Sequence, residues 1–407
     1  MSCVIIGASH AGVQAAVNLR AQGYTETITL ISAENVMPYQ RPPLSKAFLQ
    51  DTLPEQRLYL RPEAFYKQKD ITLLLATRVE VINPNDNTVT LNNGEHLHYS
   101  KLIIATGASI RYLDIPGAEL PQVHYLRDHK DTVGIKDQLN NIQKVVVIGG
   151  GYIGLEAAAS MAKLGKEVTL LINSNRPLAK NTSPIVSEFF TRLHQSHGVN
   201  IKFNTQVQRI EESNKGVTVY SNLEEGFEAD AVIAGIGVLP EQSLAQSCGL
   251  KIDNGVCVNE FMQTSNDDIY AIGDCVSFYH PLYKKQVRIE SVQNATDQSK
   301  TVASAICDKL TPYNATPWFW SDQFDAKLQI AGLSEGYDDT VIRQESDNSL
   351  AVFYFKERQL IAVDTINQPK TFMITRKHLT CLTEINKQQL GDPSVDINQA
   401  FNPVAGA

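Results

Sequence analysis

Val145–Glu156 reads VVVIGGGYIGLE, and the order of its residues decides the fold. Val145–Ile148 are four apolar, mostly β-branched residues, as a buried strand requires. Gly149-x-Gly151-x-x-Gly154 follows, and small residues carry on as a helix over Glu156–Leu164. In a strand–turn–helix unit such glycines let the backbone approach a pyrophosphate. The helix N-terminus holds its charge through free N–H groups and the dipole. The chain makes the same construction at its start. Val4–Arg20, VIIGASHAGVQAAVNLR, places Gly7-x-Ser9-x-x-Gly12 between strand and helix. Gly23 and Gly165 stand where glycine ends a helix. One fingerprint is a weak signal, but two in the same setting predict two dinucleotide sites. Gly7, Ser9, His10, Ala11 and Gly12 would line one, and Gly149, Gly151, Tyr152, Ile153 and Gly154 the other.

Composition narrows the class. The 407 residues predict two or three domains, and 43% hydrophobic with 20% charged content reads as soluble and globular. A net charge of −8 argues against nucleic acid, which needs a basic face. Six scattered cysteines, Cys3, Cys248, Cys257, Cys275, Cys307 and Cys381, read as small buried hydrophobes of a reducing cytoplasm. No leader precedes the first strand and no apolar run reaches bilayer length, so a cytoplasmic protein without a membrane anchor is expected.

Between the fingerprints, Thr27–Ile31 (TITLI) predicts a second parallel strand, with Glu34 just past its end. Glu34 is either a ribose-binding carboxylate or a solvated loop acid. Pro38–Leu49, PYQRPPLSKAFL, predicts a stiff loop and then a helix capped by Ser45. Leu102–Gly107 (LIIATG), Val168–Ile172 (VTLLI) and Ala231–Pro240 (AVIAGIGVLP) predict further buried strands. Thr264–Cys275 ends a strand in Gly273–Asp274. The tail holds both tryptophans, Trp318 and Trp320. The alternating runs Ser349–Phe355 and Leu360–Asp364 predict an antiparallel sheet, covered by a helix near Thr371–Leu382.

The PYQRPPLSKAFL stretch, taken with the two fingerprints, resembles the FAD-dependent ferredoxin reductases of oxygenase systems (putidaredoxin and rubredoxin reductase-like, within the glutathione reductase superfamily). The resemblance covers nearly the whole chain. It implies an α/β fold with two Rossmann-like dinucleotide-binding domains, one for FAD and one for NAD, plus a C-terminal α+β domain. The expected bounds are 1–111 and 239–316 for FAD, 112–238 for NAD(P)H and 317–407 for the C-terminal domain. For FAD it also implies Glu34, Arg41, Lys46, Val79, Ala105, Thr106, Gly107, Arg111, Gly273, Asp274, Glu290, Ser291, Val292 and Trp320. For NAD(P)H it implies Glu156, Asn173, Arg176, Gly235, Ile236 and Gly237 beside the second fingerprint. Lys46, Glu156 and Trp320 would stand closest to the chemistry, with Lys46 and Glu156 as an ion pair across a domain interface. Asp322 and Gln323 follow Trp320 in the family pattern. Tyr152 is either the cover of an empty nicotinamide pocket or a core tyrosine. The chain departs from the family at Ile172, where a glutamate usually reads the ribose of NADH; Asn173, Ser174, Asn175 and Arg176 remain as partners. NADH is slightly favoured and NADPH stays open.

No C-x-x-C pair exists, and Leu44-Ser45-Lys46 occupies the place where related peroxidases and coenzyme A disulfide reductases carry a cysteine. Nine scattered histidines form no metal pattern. Electrons entering a flavin therefore leave from its edge. The resemblance implies hydride transfer from NAD(P)H to FAD, then single electrons to an iron–sulfur ferredoxin, with rubredoxin the lesser alternative. That carrier would serve a monooxygenase or dioxygenase. Lys284, Lys285 and Arg288 form either a docking patch for an acidic ferredoxin or a solvated loop. An NADH oxidase and a redox-signalling protein resembling apoptosis-inducing factor stay open, as do monomer and homodimer.

Overall fold

The computed structural model describes residues 2–214, 216–379 and 384–402. The chain divides into two compact units. The first is Met1–Arg41, Pro54–Ser109 and Val238–Pro317, and the second is Pro42–Leu53, Ile110–Gly237 and Trp318–Ala407. Pro42–Leu53, expected with the first fingerprint, thus packs with the second. The C-terminal part groups with that unit too.

Each unit is built on a five-stranded parallel sheet. In the first, Ser2–Ile6 lies between Thr27–Ile31 and Lys101–Ile104, with Ile71–Leu74 and Ile269–Ala271 at the edges. In the second, Lys144–Ile148 lies between Glu167–Leu171 and Ala231–Ala234, flanked by Asn200–Lys202 and Val123–Tyr125. The central strands are near-continuous apolar runs because both faces of a parallel sheet are covered. In the second unit Val146, Ile148, Leu171 and Val232 pack against Val207, Ile210, Val217, Val219 and Phe227 of an antiparallel three-stranded sheet. Val145–Ile148 are all buried, and so are Cys3–Ile6.

The first-fingerprint helix is His10–Ala21 and its counterpart is Tyr152–Lys163. The second begins four residues before the expected Glu156, because Gly151 is its N-cap and Gly154 already lies in its first turn. Gly23 and Gly165 follow the helix ends with φ of +92° and +76°, a conformation in which glycine carries no Cβ penalty.

The C-terminal sheet runs Trp318–Gln323, Ala326–Gly332, Gln359–Ile366, Ser349–Lys356, Asp339–Ser346, all antiparallel. Leu350–Phe355 and Leu360–Ile366 are buried at every position, not at alternate ones. Phe353, Phe355 and Val363 face a core shared with Phe372 of the helix Pro369–His378. Tyr354 points away from that core toward Ser183. Cys381 and the end of the expected 371–382 helix lie outside the described residues. Among the described residues no helix is long and apolar enough to cross a membrane, and no three His, Cys, Asp or Glu are grouped to hold a metal ion.

Candidate functional site

Both glycine turns are closed by backbone. A Cβ on Gly7 would stand 2.2 Å from the Ala105 carbonyl oxygen, and one on Gly149 would stand 2.3 Å from that of Gly235. Ala105-Thr106-Gly107 and Gly235-Ile236-Gly237 are therefore equivalent pieces of the two units, each against its fingerprint. In both units the crevice opens where strand order reverses, beside the first strand. Neither fingerprint helix has a side-chain cap or an acid in its first turn. A diphosphate fits there, because it takes the place of the missing cap and meets the positive helix end.

Around the first turn, Gly273 (φ +83°) brings the Asp274 loop against Ala11; a Cβ on Gly273 would lie 3.2 Å from that side chain. Its N–H donates to buried Gln298 Oε1 at 2.7 Å. Glu34 is already engaged: Tyr39 Oη donates to Oε2 at 2.6 Å and Arg41 Nη2 to Oε1 at 2.7 Å. A carboxylate accepts about four hydrogen bonds, so a ribose can still share it. Burial, then the Arg41 charge, pull the His10 imidazole down to about 4, leaving it neutral. Val79 is buried at the start of the strand Val79–Asn83. Thr106 Oγ1 donates to Glu241 O at 2.7 Å, tying that turn to the returning chain. Ser291 caps the helix Val292–Ile306 by accepting from Asn294 N, which leaves the Val292 N–H at the helix start. Glu290 is paired with Arg288.

Lys46, Arg111 and Trp320, expected beside FAD, belong to the second unit. Ser45 does not cap a helix, since Pro42–Ser45 is a 3-10 turn followed by further turns. Instead its hydroxyl donates to Glu156 Oε2 at 2.6 Å. Lys46 Nζ lies 2.7 Å from the same oxygen, so the expected ion pair is present, inside one unit and not across an interface of two. Ser321 Oγ donates to Glu156 Oε1 at 2.6 Å. The Glu156 side chain is 3% exposed and that of Lys46 is 18%. Gln50 Nε2 donates to Ser160 Oγ, which donates to Ser45 O, and Lys136 pairs with Asp51. These bonds are why residues 42–53 pack with the second fingerprint.

Tyr152, Glu156 and Ser160 are spaced i, i+4, i+8 on one helix face. Phe319, Ser321 and Gln323 alternate along one strand face, and Tyr152 meets Phe319 with ring centroids 4.6 Å apart. Trp320 lies on the other strand face, beside Trp318 at 5.7 Å. Ile172 is fully buried, with its side chain filling the space over Gly150. Asn173 is exposed at the strand end. Arg176 turns inward: Nη1 donates to Thr182 O and Ser187 Oγ, and Nη2 to Ala179 O. It braces its own loop and does not stand ready for a 2′-phosphate. Arg111 is exposed, its N–H on Gly237 O.

One buried acid was not anticipated. Tyr354 Oη donates to Asp364 Oδ2 at 2.5 Å and accepts from Ser183 N, while Asp364 Oδ1 has no partner among the described residues. Burial, opposed by the Tyr354 hydrogen bond, pushes this carboxyl up to about 7 from an ordinary 3.8. Between these values the folded chain keeps a proton that the unfolded chain releases. The stabilising contribution is therefore full below about 4 and is lost as pH rises toward 7. Asp364→Asn should flatten that slope. Melting temperatures of variant and parent should diverge from pH 5 to pH 8 in favour of the variant, and parallel curves would contradict the assignment.

Two glycine turns that fit a diphosphate, each on the parallel sheet of its own unit, together with an antiparallel five-stranded sheet in the second unit, define an α/β oxidoreductase of the two-dinucleotide class. The chain belongs to the pyridine nucleotide-disulphide oxidoreductase family, whose model matches residues 1–299, and a reductase C-terminal model matches residues 318–401. Rhodocoxin reductase of Rhodococcus erythropolis is 40% identical over 98% of this chain and 94% of its own. Putidaredoxin reductase CamA of Pseudomonas putida is 41% identical over 97% and 96%. The structure of a covalent putidaredoxin reductase–putidaredoxin complex matches with a TM-score of 0.94, at 40% identity over 98% of this chain and 97% of that one. The ferredoxin reductase for the CYP199A2 system of Rhodopseudomonas palustris matches at 0.95, with 37% identity over 98% and 100%.

Proposed function

We propose that the chain takes reducing equivalents from NADH or NADPH and passes them singly to an iron–sulfur ferredoxin that feeds an oxygenase. The observation that carries this reading is Lys46 paired to buried Glu156, at the place where thiol-using relatives carry a cysteine. The sequence has no C-x-x-C pair and Leu44-Ser45-Lys46 holds no thiol, so no thiol receives the electrons at that place. Bound FAD supplies the step from a two-electron donor to a one-electron carrier. The chain's own residues bind, orient and tune. The turn Gly7–Gly12 holds the FAD diphosphate, Glu34 the ribose and Asp274 the ribityl chain. The family resemblance would put Lys46 by the flavin ring and Trp320 by its edge, and Val292 would contribute through its backbone. The turn Gly149–Gly154 holds the NAD(P)H diphosphate, with Asn173 by its ribose and Tyr152 over the nicotinamide position.

With Ile172 buried and Arg176 committed to other acceptors, neither of these two residues grips or repels a 2′-phosphate. A preference for NADH of less than about tenfold is expected, corresponding to about 1.4 kcal/mol. Ile172→Glu should widen it. Lys284 is exposed at the tip of the hairpin that joins Val276–His280 to Lys285–Val287, whereas Arg288 is neutralised by Glu290. Docking therefore centres on exposed Lys284, with Lys285 next to it in the chain.

The test is reduction of cytochrome c by the holoprotein with each nucleotide, with and without added ferredoxin. Strong stimulation by ferredoxin, weakened in Lys284→Glu/Lys285→Glu while ferricyanide reduction is spared, is the expected result. Rapid oxygen consumption that ferredoxin does not alter would replace this reading with an oxidase. Stimulation by a rubredoxin alone would change the carrier.

A further inference from the structure

The Lys46–Glu156 pair is the end of a longer buried chain. Ser321 Oγ donates to Glu156 Oε1 at 2.6 Å, Gln323 Nε2 donates to Ser321 Oγ at 3.2 Å, and Gln323 Oε1 stands 2.9 Å from His194 Nε2. Ser321, Gln323 and His194 are each fully buried. Every step runs in one direction. Because the Gln323 amide gives its N–H to Ser321, its oxygen must accept, which assigns the His194 proton to Nε2. The other ring nitrogen, Nδ1, is buried without a partner among the described residues. Burial pulls the His194 imidazole down to about 4, so the ring stays neutral and keeps this tautomer at working pH.

We propose that His194, Gln323 and Ser321 are positioning residues for Lys46. They hold the Glu156 carboxylate in one orientation and offset part of its charge, so that Lys46 presents its ammonium to the flavin at a set strength. Glu156 has three donors on two oxygens: Ser45 and Lys46 on Oε2, and Ser321 on Oε1. Withdrawing the Ser321 arm leaves Oε1 unmatched in a buried site, where hydrogen bonds weigh more than in water. The carboxylate then screens Lys46 more strongly. A weaker field at the flavin disfavours its reduced, anionic form, so the midpoint potential falls. This inference rests on the proposed placement of Lys46 beside the flavin.

The chain reaches His194 on the helix Pro184–Ser196, in a part of the nucleotide domain that no fingerprint marks. Its sequence signal is a register: Ser321 and Gln323 share the strand face that meets Glu156, while Trp320 and Asp322 point elsewhere.

The measurement is the flavin midpoint potential of the holoprotein by redox titration, together with 15N spectra of histidine-labelled protein. Ser321→Ala and Gln323→Met should each lower the two-electron equilibrium constant about threefold, or about 14 mV. Ser321→Thr, which keeps the hydroxyl, should hold the parent value. Lys46→Met should lower the potential further. In the spectra one imidazole should remain neutral and Nε2-protonated from pH 5 to 8, and its shifts should move in Ser321→Ala. Parent-like potentials in Ser321→Ala and Gln323→Met beside a shifted Lys46→Met would overturn the inference. A His194 signal that responds to Ser321→Ala, with an unmoved Lys46→Met potential, would instead remove the placement of Lys46 and the tuning role with it.

Discussion

Gly7→Ala is expected to give protein that has lost its yellow colour, and Gly149→Ala protein that stays yellow but no longer bleaches with NADH. Each substitution meets two separate obstacles. Gly7 has φ of +105° and Gly149 of +119°, where an L side chain is strained by about 1–3 kcal/mol. The new Cβ would also stand 2.2 Å from Ala105 O or 2.3 Å from Gly235 O. Those are backbone atoms of the adjoining sheet strand's exit, so no rotamer change relieves the contact. The turn must move, and with it the N–H groups that meet the diphosphate. Strain and displacement together correspond to about a ten- to hundredfold loss of nucleotide affinity. The measurements are flavin content per chain after purification and the rate of flavin bleaching against NADH concentration. Equal flavin loss in both variants would show that the two turns do not serve separate nucleotides.

The same pair of glycines explains why so much of the fold was legible. A strand, a turn that only glycine tolerates and a helix are all local events, each written in consecutive residues. Repetition then set the architecture, because both fingerprints show the same strand–turn–helix order and each is followed later in the chain by an apolar strand ending in a small-residue turn. The Lys46–Glu156 pair was legible only through resemblance, since 110 residues separate its members. Its location was misread, because nothing local says which sheet a proline-stiffened segment joins. Ser45 shows the same limit. Serine after two prolines reads as a helix cap, yet Glu156 accepts its hydroxyl and a tertiary bond displaces the local one. Arg176 is the converse case: two carbonyls of its own loop and the Ser187 hydroxyl of the following helix claim a cation that sequence offers to a phosphate. Strands Ser349–Lys356 and Gln359–Ile366 lose the expected alternation because the second face of their sheet is also covered. Asp364 was invisible for that reason, as a lone acid in an apolar run with its partner Tyr354 on the next strand.

Glu156→Leu is the substitution expected to separate stability from electron flow. Leucine roughly matches the volume but accepts nothing, so Ser45 Oγ, Lys46 Nζ and Ser321 Oγ lose their shared partner at once. Removing one member of a buried pair costs about 3–5 kcal/mol, much of it the charge left behind. The 18% exposure of Lys46 puts this case near the lower bound. Adding Lys46→Met takes that orphan charge away, and the two side chains then pack as hydrocarbon. The double variant should regain most of the lost stability, giving a coupling well above the scatter for independent sites. Activity should not follow. Flavin reduction at saturating NADH should fall about a hundredfold in Glu156→Leu, as when a preorganised electrostatic group is deleted, and should stay down in the double variant. Denaturant melts and rapid-mixing absorbance on the parent, Glu156→Leu, Lys46→Met and the double variant decide it. If activity returned together with stability, the pair would be a structural clamp on Pro42–Leu53 and Lys46 would have no electrostatic part in the chemistry. If neither returned, the hydroxyls of Ser45 and Ser321, which the double variant still leaves without an acceptor, would carry the larger share of the cost.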